Sequence, residues 1–105
     1  MDRLTSMRVF AAVARLGSFA AAAEELDISN TMCSKFIRDL ENNLSARLIN
    51  RTTRQLSLTE VGSIYHKKVI DILTEVEEAE QSVSELQNKP VGTLRIMSLP
   101  SFGSF

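Results

Sequence analysis

The spacing of apolar residues along the first part of the chain predicts a short amphipathic helix. In residues 4–14, apolar side chains recur at steps of three and four, which is the period of one helix face. The apolar positions of this helix are Leu4, Met7, Phe10, Ala11 and Ala14. Asp2 or Thr5 can cap its start, and Gly17 is expected to end it.

Two more helices are predicted directly after the first, each beginning at a serine. Ser18 and Ser29 are the expected N-caps, because a serine hydroxyl accepts a free backbone N–H of the first turn. The apolar face of the second helix consists of Phe19, Ala22, Ala23 and Leu26, and that of the third of Cys33, Ile37, Leu40 and Leu44. Only Asp27 and Ile28 separate the two helices, so we expect a tight turn between them.

The helical period is lost after residue 44, and a small β-hairpin is predicted in its place. Two short runs, residues 47–51 and 54–58, are separated by Thr52 and Thr53. Leu56 and Leu58 share one face of a strand, because side chains alternate between the two faces.

A long helix is predicted over residues 59–89, with Thr59 as its cap. Its apolar residues follow a heptad spacing and are Tyr65, Val69, Ile72, Val76, Ala79, Val83 and Leu86. Such a stripe packs on its own domain, pairs with a second copy of the chain, or receives a partner helix. A 30-residue helix is about 45 Å long, which exceeds the size of a three-helix domain. Dimerisation is therefore the most economical interpretation.

The last part of the chain is expected to begin a further domain. Pro90 and Gly92 end the long helix, residues 93–98 read as a strand, and residues 100–105 as a loop. A single strand needs neighbours to form a sheet. We therefore expect this chain to be the front part of a longer protein.

Composition excludes several classes of protein but gives a misleading first impression of charge. The chain has 105 residues, 44% of them hydrophobic, and a single cysteine, so an intrachain disulfide is excluded. The net charge of −1 argues against a nucleic-acid binder. However, residues 35–58 carry five Lys or Arg against two acids, whereas residues 59–89 carry three Lys against seven acids. A modestly basic segment is thus cancelled by an acidic helix.

Catalytic and metal-binding residues are scarce. A Cys33–His66 dyad is conceivable, but Cys33 lies on the apolar face of the third helix and is better explained as a core residue. His66 is most simply a solvated helix residue. We therefore expect neither an enzyme nor a metal site, and no cofactor in this fragment.

The predicted second and third helices have the layout of a helix-turn-helix. The third helix carries short polar and basic side chains near its start, where such motifs place the residues that read base edges. From the pattern alone, a plain helical bundle with a solvated third helix explains the residues equally well. The basic hairpin that follows, with Arg51 and Arg54, favours DNA, because such a wing can contact phosphates.

These segments, in this order, resemble the N-terminal part of the LysR-type bacterial transcriptional regulators. The resemblance extends from residue 1 to about residue 98. The first helix, residues 4–14, carries part of it. The rest is carried by Gly17-Ser18-Phe19 with Ala22-Ala23 and Leu26, by residues 29–34 with Ile37 and Leu40-Glu41, by Arg47-Leu48, Arg51-Thr52 and Leu58-Thr59-Glu60-x-Gly62, and by residues 91–96, which resemble the first strand of that family's effector-binding domain.

The resemblance implies a mainly α fold with defined parts. Residues 1–58 would form a winged helix-turn-helix of three helices plus a β-hairpin wing, residues 59–89 a linker helix for dimerisation, and residues 90–105 the hinge and first strand of an effector domain. Such proteins are bacterial and cytoplasmic, and a homodimer, possibly within a tetramer, binds double-stranded DNA at an inverted repeat. A small-molecule inducer is expected for a C-terminal domain that lies outside this chain.

Site residues carry over from the family by position. The residues that would line the major groove are Ser29, Asn30, Thr31, Met32, Ser34, Lys35 and Arg38. Those near the phosphates would be Ser18 and Phe19, and those of the wing Arg51, Thr52 and Arg54. The alternative is a winged-helix and coiled-coil module that binds proteins and not DNA.

Five positions test how closely the chain follows the family. In the family, glycine is usual at the positions of Asp27 and Ser45. If the backbone there is left-handed, a residue other than glycine lowers stability by about 1 kcal/mol, and Asp lowers it by less. Ile49 replaces a usual Phe and is expected in the core. Phe36 replaces a polar residue on the reading helix, and packing is slightly favoured over contact with a thymine methyl. Gly62 agrees with the family and predicts close backbone packing.

Overall fold

The computed structural model describes residues 2–51 and 55–87. It contains α1 (Arg3–Leu16), α2 (Phe19–Leu26), α3 (Asn30–Leu44), β1 (Ile49–Asn50), β2 (Ser57–Leu58) and α4 (Glu60–Gln87). The order of elements confirms the predicted mainly α fold of three helices, a hairpin and a long helix. The strand predicted over residues 93–98 and the loop after it lie outside the described residues.

Serine caps start α2 and α3 and a glycine ends α1, as predicted, whereas Asp2 precedes α1 without a side-chain capping hydrogen bond. The Ser18 hydroxyl accepts the Ala21 N–H at 3.1 Å, and the Ser29 hydroxyl accepts the Met32 N–H at 3.0 Å. Gly17 ends α1 with φ of 69°, in the left-handed region that glycine enters at no steric cost. These caps fix the short connections that bring α1, α2 and α3 together.

The hydrophobic core lies where α1 packs against α2, α3 and the start of α4. Fully buried side chains include Phe10, Ile37 and Leu40. The Phe10 ring lies 5.6 Å from that of Tyr65, which joins α1 to α4. Because α1 has neighbours on several sides, its buried face is wider than the predicted one and is centred on Val9, Phe10, Ala12 and Val13.

The hairpin consists of two antiparallel strands of two residues each. Ile49 pairs with Leu58, and Asn50 pairs with Ser57. Ile49 is buried in the core, as expected for a residue that replaces a phenylalanine. The Thr59 N–H donates to the Leu48 carbonyl at 3.0 Å, which continues the pairing up to the start of α4.

Helix α4 starts with a close backbone contact to the residue before β1. The Thr59 hydroxyl accepts the Gly62 N–H at 2.9 Å and donates to the Arg47 carbonyl at 2.6 Å. A Cβ at Gly62 would lie 2.0 Å from the Leu48 carbonyl oxygen. The close packing predicted at Gly62 is therefore confirmed.

The chain divides into two units, the first ending at Leu73 and the second beginning at Thr74. In the first unit, Val69 of α4 is fully buried in the core, while Val61 and Ile64 are at least half exposed. In the second unit, Val83 and Leu86 are exposed over more than half of their surface. None of the helices in residues 2–51 and 55–87 has the length and hydropathy that crossing a membrane requires.

Candidate nucleic-acid interface

The turn between α2 and α3 is held by backbone hydrogen bonds. Asp27 ends α2 with φ of 59°, and the Ile28 N–H donates to the Ala23 carbonyl at 2.9 Å. Ile28 is partly buried against the core, and Ser29 then starts α3. The predicted tight turn is thus present, and Asp27 adopts the left-handed backbone at a position where the resemblance to the family suggested glycine.

Helix α3 presents one face to the core and another to solvent. Cys33, Ile37 and Leu40 are fully buried. On the opposite side, Thr31, Lys35, Arg38 and Asn42 are exposed. Their spacing of four, three and four places them in one row along the helix. We call these four residues the polar row.

The predicted groove residues lie on or beside this row, at the first half of α3. Asn30, Thr31 and Met32 are exposed in its first turn, and Ser34 is half-buried. Lys35 is exposed and pairs with Asp39 at 3.0 Å. Because an exposed pair of this kind contributes little, Lys35 remains available to a ligand. Phe36 is partly buried and packs against the core, as favoured from the sequence.

Ser18 and Phe19, predicted near the phosphates, have structural partners. The Ser18 hydroxyl caps α2 through Ala21. Phe19 is partly buried against the core, and the Arg51 guanidinium lies 5.9 Å from the centre of its ring. This cation–π geometry links the start of α2 to the hairpin.

A buried carboxylate fastens the hairpin to α3. Glu41 is 7% exposed, and its Oε2 accepts the N–H groups of Leu48 and Ile49 at 2.8 and 3.2 Å. Its Oε1 accepts from the Arg51 guanidinium at 3.0 Å. We call Glu41 with these three donors the Glu41 clamp.

The Glu41 clamp changes the titration of this carboxyl. Burial on its own raises the pKa of Glu41, because it disfavours the charged form. The two backbone N–H groups and the Arg51 guanidinium lower it by more, so the pKa of Glu41 lies below its ordinary value. The carboxylate is thus charged and engaged at neutral pH, and Arg51 is partly committed to it. Two other predicted wing residues, Thr52 and Arg54, lie outside the described residues.

Two residues of this surface were missed from the sequence. Asn42 belongs to the polar row, and its spacing of seven from Lys35 was the available signal. Arg47 was placed in the predicted hairpin and in the family resemblance but not among the site residues, and it is exposed in the segment between α3 and β1.

Cys33 and His66, the two residues considered for chemistry, are both at least partly buried. Cys33 is fully buried, and burial raises the pKa of its thiol. His66 is not the solvated residue expected from the sequence. Its ring meets that of Phe10 edge to face at 5.9 Å, and its Nε2 is buried without a hydrogen-bond partner in the described residues. In residues 2–51 and 55–87, no three metal-ligating side chains form a group that could hold an ion.

The known proteins that this chain resembles in sequence are transcriptional regulators, and several similar solved structures are complexes with DNA. The chain is 43% identical over 96 residues to the HTH-type transcriptional activator AaeR of Escherichia coli (strain K12), covering 91% of this chain and 31% of that protein. It thus spans about a third of the length of such curated relatives.

Solved structures agree in fold. A BenM DBD/benA site 1 DNA complex matches with a TM-score of 0.77 and 28% identity, covering 86% of this chain and 100% of that one. A CbnR DBD–DNA complex matches with a TM-score of 0.73 and 26% identity, covering 84% of this chain and 100% of that one. Residues 4–63 match the model of the bacterial regulatory helix-turn-helix proteins, lysR family. The chain belongs to this family.

Proposed function

We propose that this chain binds double-stranded DNA in a sequence-specific manner as part of a transcriptional regulator. The observation that carries the proposal is the polar row of α3, which is exposed while the opposite face of the same helix is buried. An α-helix is about 10–12 Å wide with its side chains, and the major groove of B-DNA is about 12 Å wide. The row is the face that enters the groove.

The residue types of α3 suit base recognition. Lys35 and Arg38 can donate to guanine O6 and N7, and Asn30 can pair with adenine. Thr31 and Ser34 can bond to several base or phosphate groups. The family membership and the two similar DNA complexes support the same proposal. They favour it over the alternative of a protein-interaction module that does not bind DNA.

The regulator is proposed to act as a homodimer through α4. Along the part of α4 in the first unit, Val61, Ile64 and Ile72 are between 41% and 59% exposed. In the second unit, Val83 and Leu86 are exposed, again at heptad-like spacing from one another. Val69 and Tyr65, also candidates from the sequence, pack within their own chain and are left out of the proposed dimer surface. Val76 and Ala79 complete it.

A dimer would present two copies of α3 to the two halves of an inverted repeat. We propose that a small-molecule inducer binds to a part of such regulators that lies outside the described residues. The protein is proposed to act on bacterial DNA without catalysis of its own.

The proposed function is tested with duplexes selected from a random-sequence pool by the purified protein. Selection should enrich an inverted repeat that binds more tightly than random DNA. Lys35→Ala should weaken binding to the selected duplex more than to random DNA, and Arg54→Ala should weaken both to a similar extent. Lys67→Ala on α4 is the control and should change neither. Failure to enrich any sequence would overturn the proposal.

The dimer is tested by sedimentation. Val83→Asp should reduce the mass from dimer to monomer, because it places a charge on the apolar surface. Ser84→Asp introduces the same charge at the next residue, on a different side of the helix, and should remain dimeric. An unchanged mass for Val83→Asp would refute this dimer surface.

A further inference from the structure

A small notch lies on α3, next to the polar row. Its volume is about 160 Å³, and it is lined by Met32, Lys35, Phe36 and Asp39. Met32 and Phe36 are four residues apart and form one wall along the helix. Lys35 and Asp39 have the same spacing and form the other wall. Because Lys35 belongs to the polar row as well, the notch is continuous with the proposed DNA-binding face.

The first wall of the notch is apolar and partly open to solvent. Met32 lies in the first turn of α3 and is 44% exposed. Phe36 is half-buried and packs against the core, and the rest of its side chain lines the notch. A methionine thioether is flexible and polarisable, so it adapts to the shape of small apolar groups. This wall therefore suits an apolar occupant.

The second wall of the notch carries no net charge. The Lys35 ammonium lies 3.0 Å from the Asp39 carboxylate, so the two charges balance each other. The carboxylate would repel a phosphate, and an anion therefore gains little from this wall. An ammonium group has three N–H donors, so Lys35 can keep its bond to Asp39 and also donate to a base beside the notch.

The major groove of duplex DNA offers an apolar group of the right size. This group is the C5 methyl of thymine, and the other groups that distinguish base pairs there are hydrogen-bond donors and acceptors. If the first half of α3 enters the groove as proposed, the notch lies beside the base edges that the polar row contacts. Burial of a methyl group against Met32 and Phe36 removes apolar surface from water and stabilises the complex.

We propose that this notch takes the C5 methyl of a thymine, so that Met32 and Phe36 select thymine at one position of each half-site. The inference rests on the proposed DNA binding and adds Phe36 to the residues that determine base preference. It concerns the methyl group alone. A cytosine methylated at C5 presents the same group at the same place in the groove, and the notch should accept it equally.

The test uses the inverted repeat that the wild type selects from a random-sequence pool. Thymines at equivalent positions of the two half-sites are replaced in turn by deoxyuridine, which lacks only the C5 methyl. At one position, wild-type affinity should fall by about fourfold for each half-site, the loss expected for one buried methyl group. Met32→Ala should bind the unmodified repeat more weakly, and deoxyuridine at that position should weaken this variant by less than about twofold.

Leu44→Ala is the matched control for this test. Leu44 is also a large apolar residue of α3 and is 39% exposed, but it lies outside the notch. Leu44→Ala should therefore retain the full effect of deoxyuridine. Each variant is compared with itself on modified and unmodified duplexes, so a change in its folding does not alter the result.

A second measurement separates the methyl group from the rest of the thymine. The sensitive thymine–adenine pair is replaced by a cytosine–guanine pair, with or without a methyl group at C5 of the cytosine. The wild type should bind the methylated duplex about fourfold more tightly for each half-site. Met32→Ala should bind the two duplexes alike.

The two proposals fail in different ways. If the wild type selects an inverted repeat but no deoxyuridine weakens its binding, the notch assignment is overturned and the proposed function stands. The same holds if Met32→Ala keeps the full effect of deoxyuridine, or if Leu44→Ala loses it to the same extent as Met32→Ala. If no sequence is enriched, the proposed function fails and the notch assignment fails with it.

Discussion

Replacement of Glu41 by glutamine tests the Glu41 clamp with almost no change in side-chain volume. The carboxylate accepts three hydrogen bonds, two on Oε2 and one on Oε1. The amide of glutamine has one oxygen. If that oxygen accepts the N–H groups of Leu48 and Ile49, the NH₂ group faces the Arg51 guanidinium, donor against donor. Glu41→Gln therefore loses the Arg51 bond and weakens the other two.

The expected loss follows from the energies of such bonds. Hydrogen bonds to a charged group contribute about 1.5–3 kcal/mol and neutral ones about 0.5–1.5 kcal/mol. Glu41→Gln loses one charged hydrogen bond and weakens two others, and rearrangement of the partly exposed Arg51 recovers part of this loss. We therefore expect the free energy of unfolding to fall by about 2–3 kcal/mol. The assay is urea unfolding at pH 7 and fixed protein concentration, because dimerisation would make stability depend on concentration. Glu24→Gln, at an exposed site on α2, is the control and should change stability by less than about 0.5 kcal/mol.

The pH dependence gives an independent check of the same residue. Because the pKa of Glu41 is lower in the folded chain, its contribution to stability is complete above the ordinary pKa of a glutamate, about 4.3. It is lost as the pH falls through the lower, folded value. The difference in unfolding free energy between wild type and Glu41→Gln should therefore shrink on acidification from about pH 5. A difference that stays constant down to pH 3, or a loss below about 0.5 kcal/mol at pH 7, would refute the clamp.

Two further substitutions and one reactivity measurement probe the backbone and core. Ser45→Gly should raise the free energy of unfolding by about 0.5–1 kcal/mol in urea, because Ser45 has φ of 53°; destabilisation would contradict this. Gly62→Ala should lower the free energy of unfolding by about 1–3 kcal/mol, because the new Cβ meets the Leu48 carbonyl. An unchanged midpoint of urea unfolding would contradict this. Cys33 should react with a disulfide reagent only as fast as the chain unfolds, since its thiol is buried with a raised pKa; rapid reaction of the folded protein would argue otherwise.

Much of the fold could be predicted because its signals are local. Ser18, Ser29 and Thr59 cap helices that begin within one residue of them, and Gly17 ends α1 by its own backbone conformation. A residue's preference for such a position depends on its neighbours in sequence, so a single chain reveals it.

The division of α4 into two apolar faces could not be read from spacing. The heptad pattern places Val69 and Ile72 in one stripe, yet Val69 is fully buried in the core and Ile72 is 41% exposed. A stripe that packs on its own domain and a stripe that is free for a partner have the same period. Which residues serve which role depends on where α1 lies, and that is a tertiary property.

The base of the hairpin shows most clearly what a periodic pattern leaves out. Glu41 reaches Leu48 and Ile49 from α3, while Thr59 and Gly62 hold Arg47 and Leu48 from the start of α4. These contacts join residues 7–14 positions apart in different elements and connections, so neither a helical nor a strand period relates the partners. They nevertheless decide where the hairpin stands beside the polar row. Because these contacts place the hairpin beside the polar row, Gly62→Ala should weaken the proposed binding to duplex DNA, although Gly62 itself need not touch DNA.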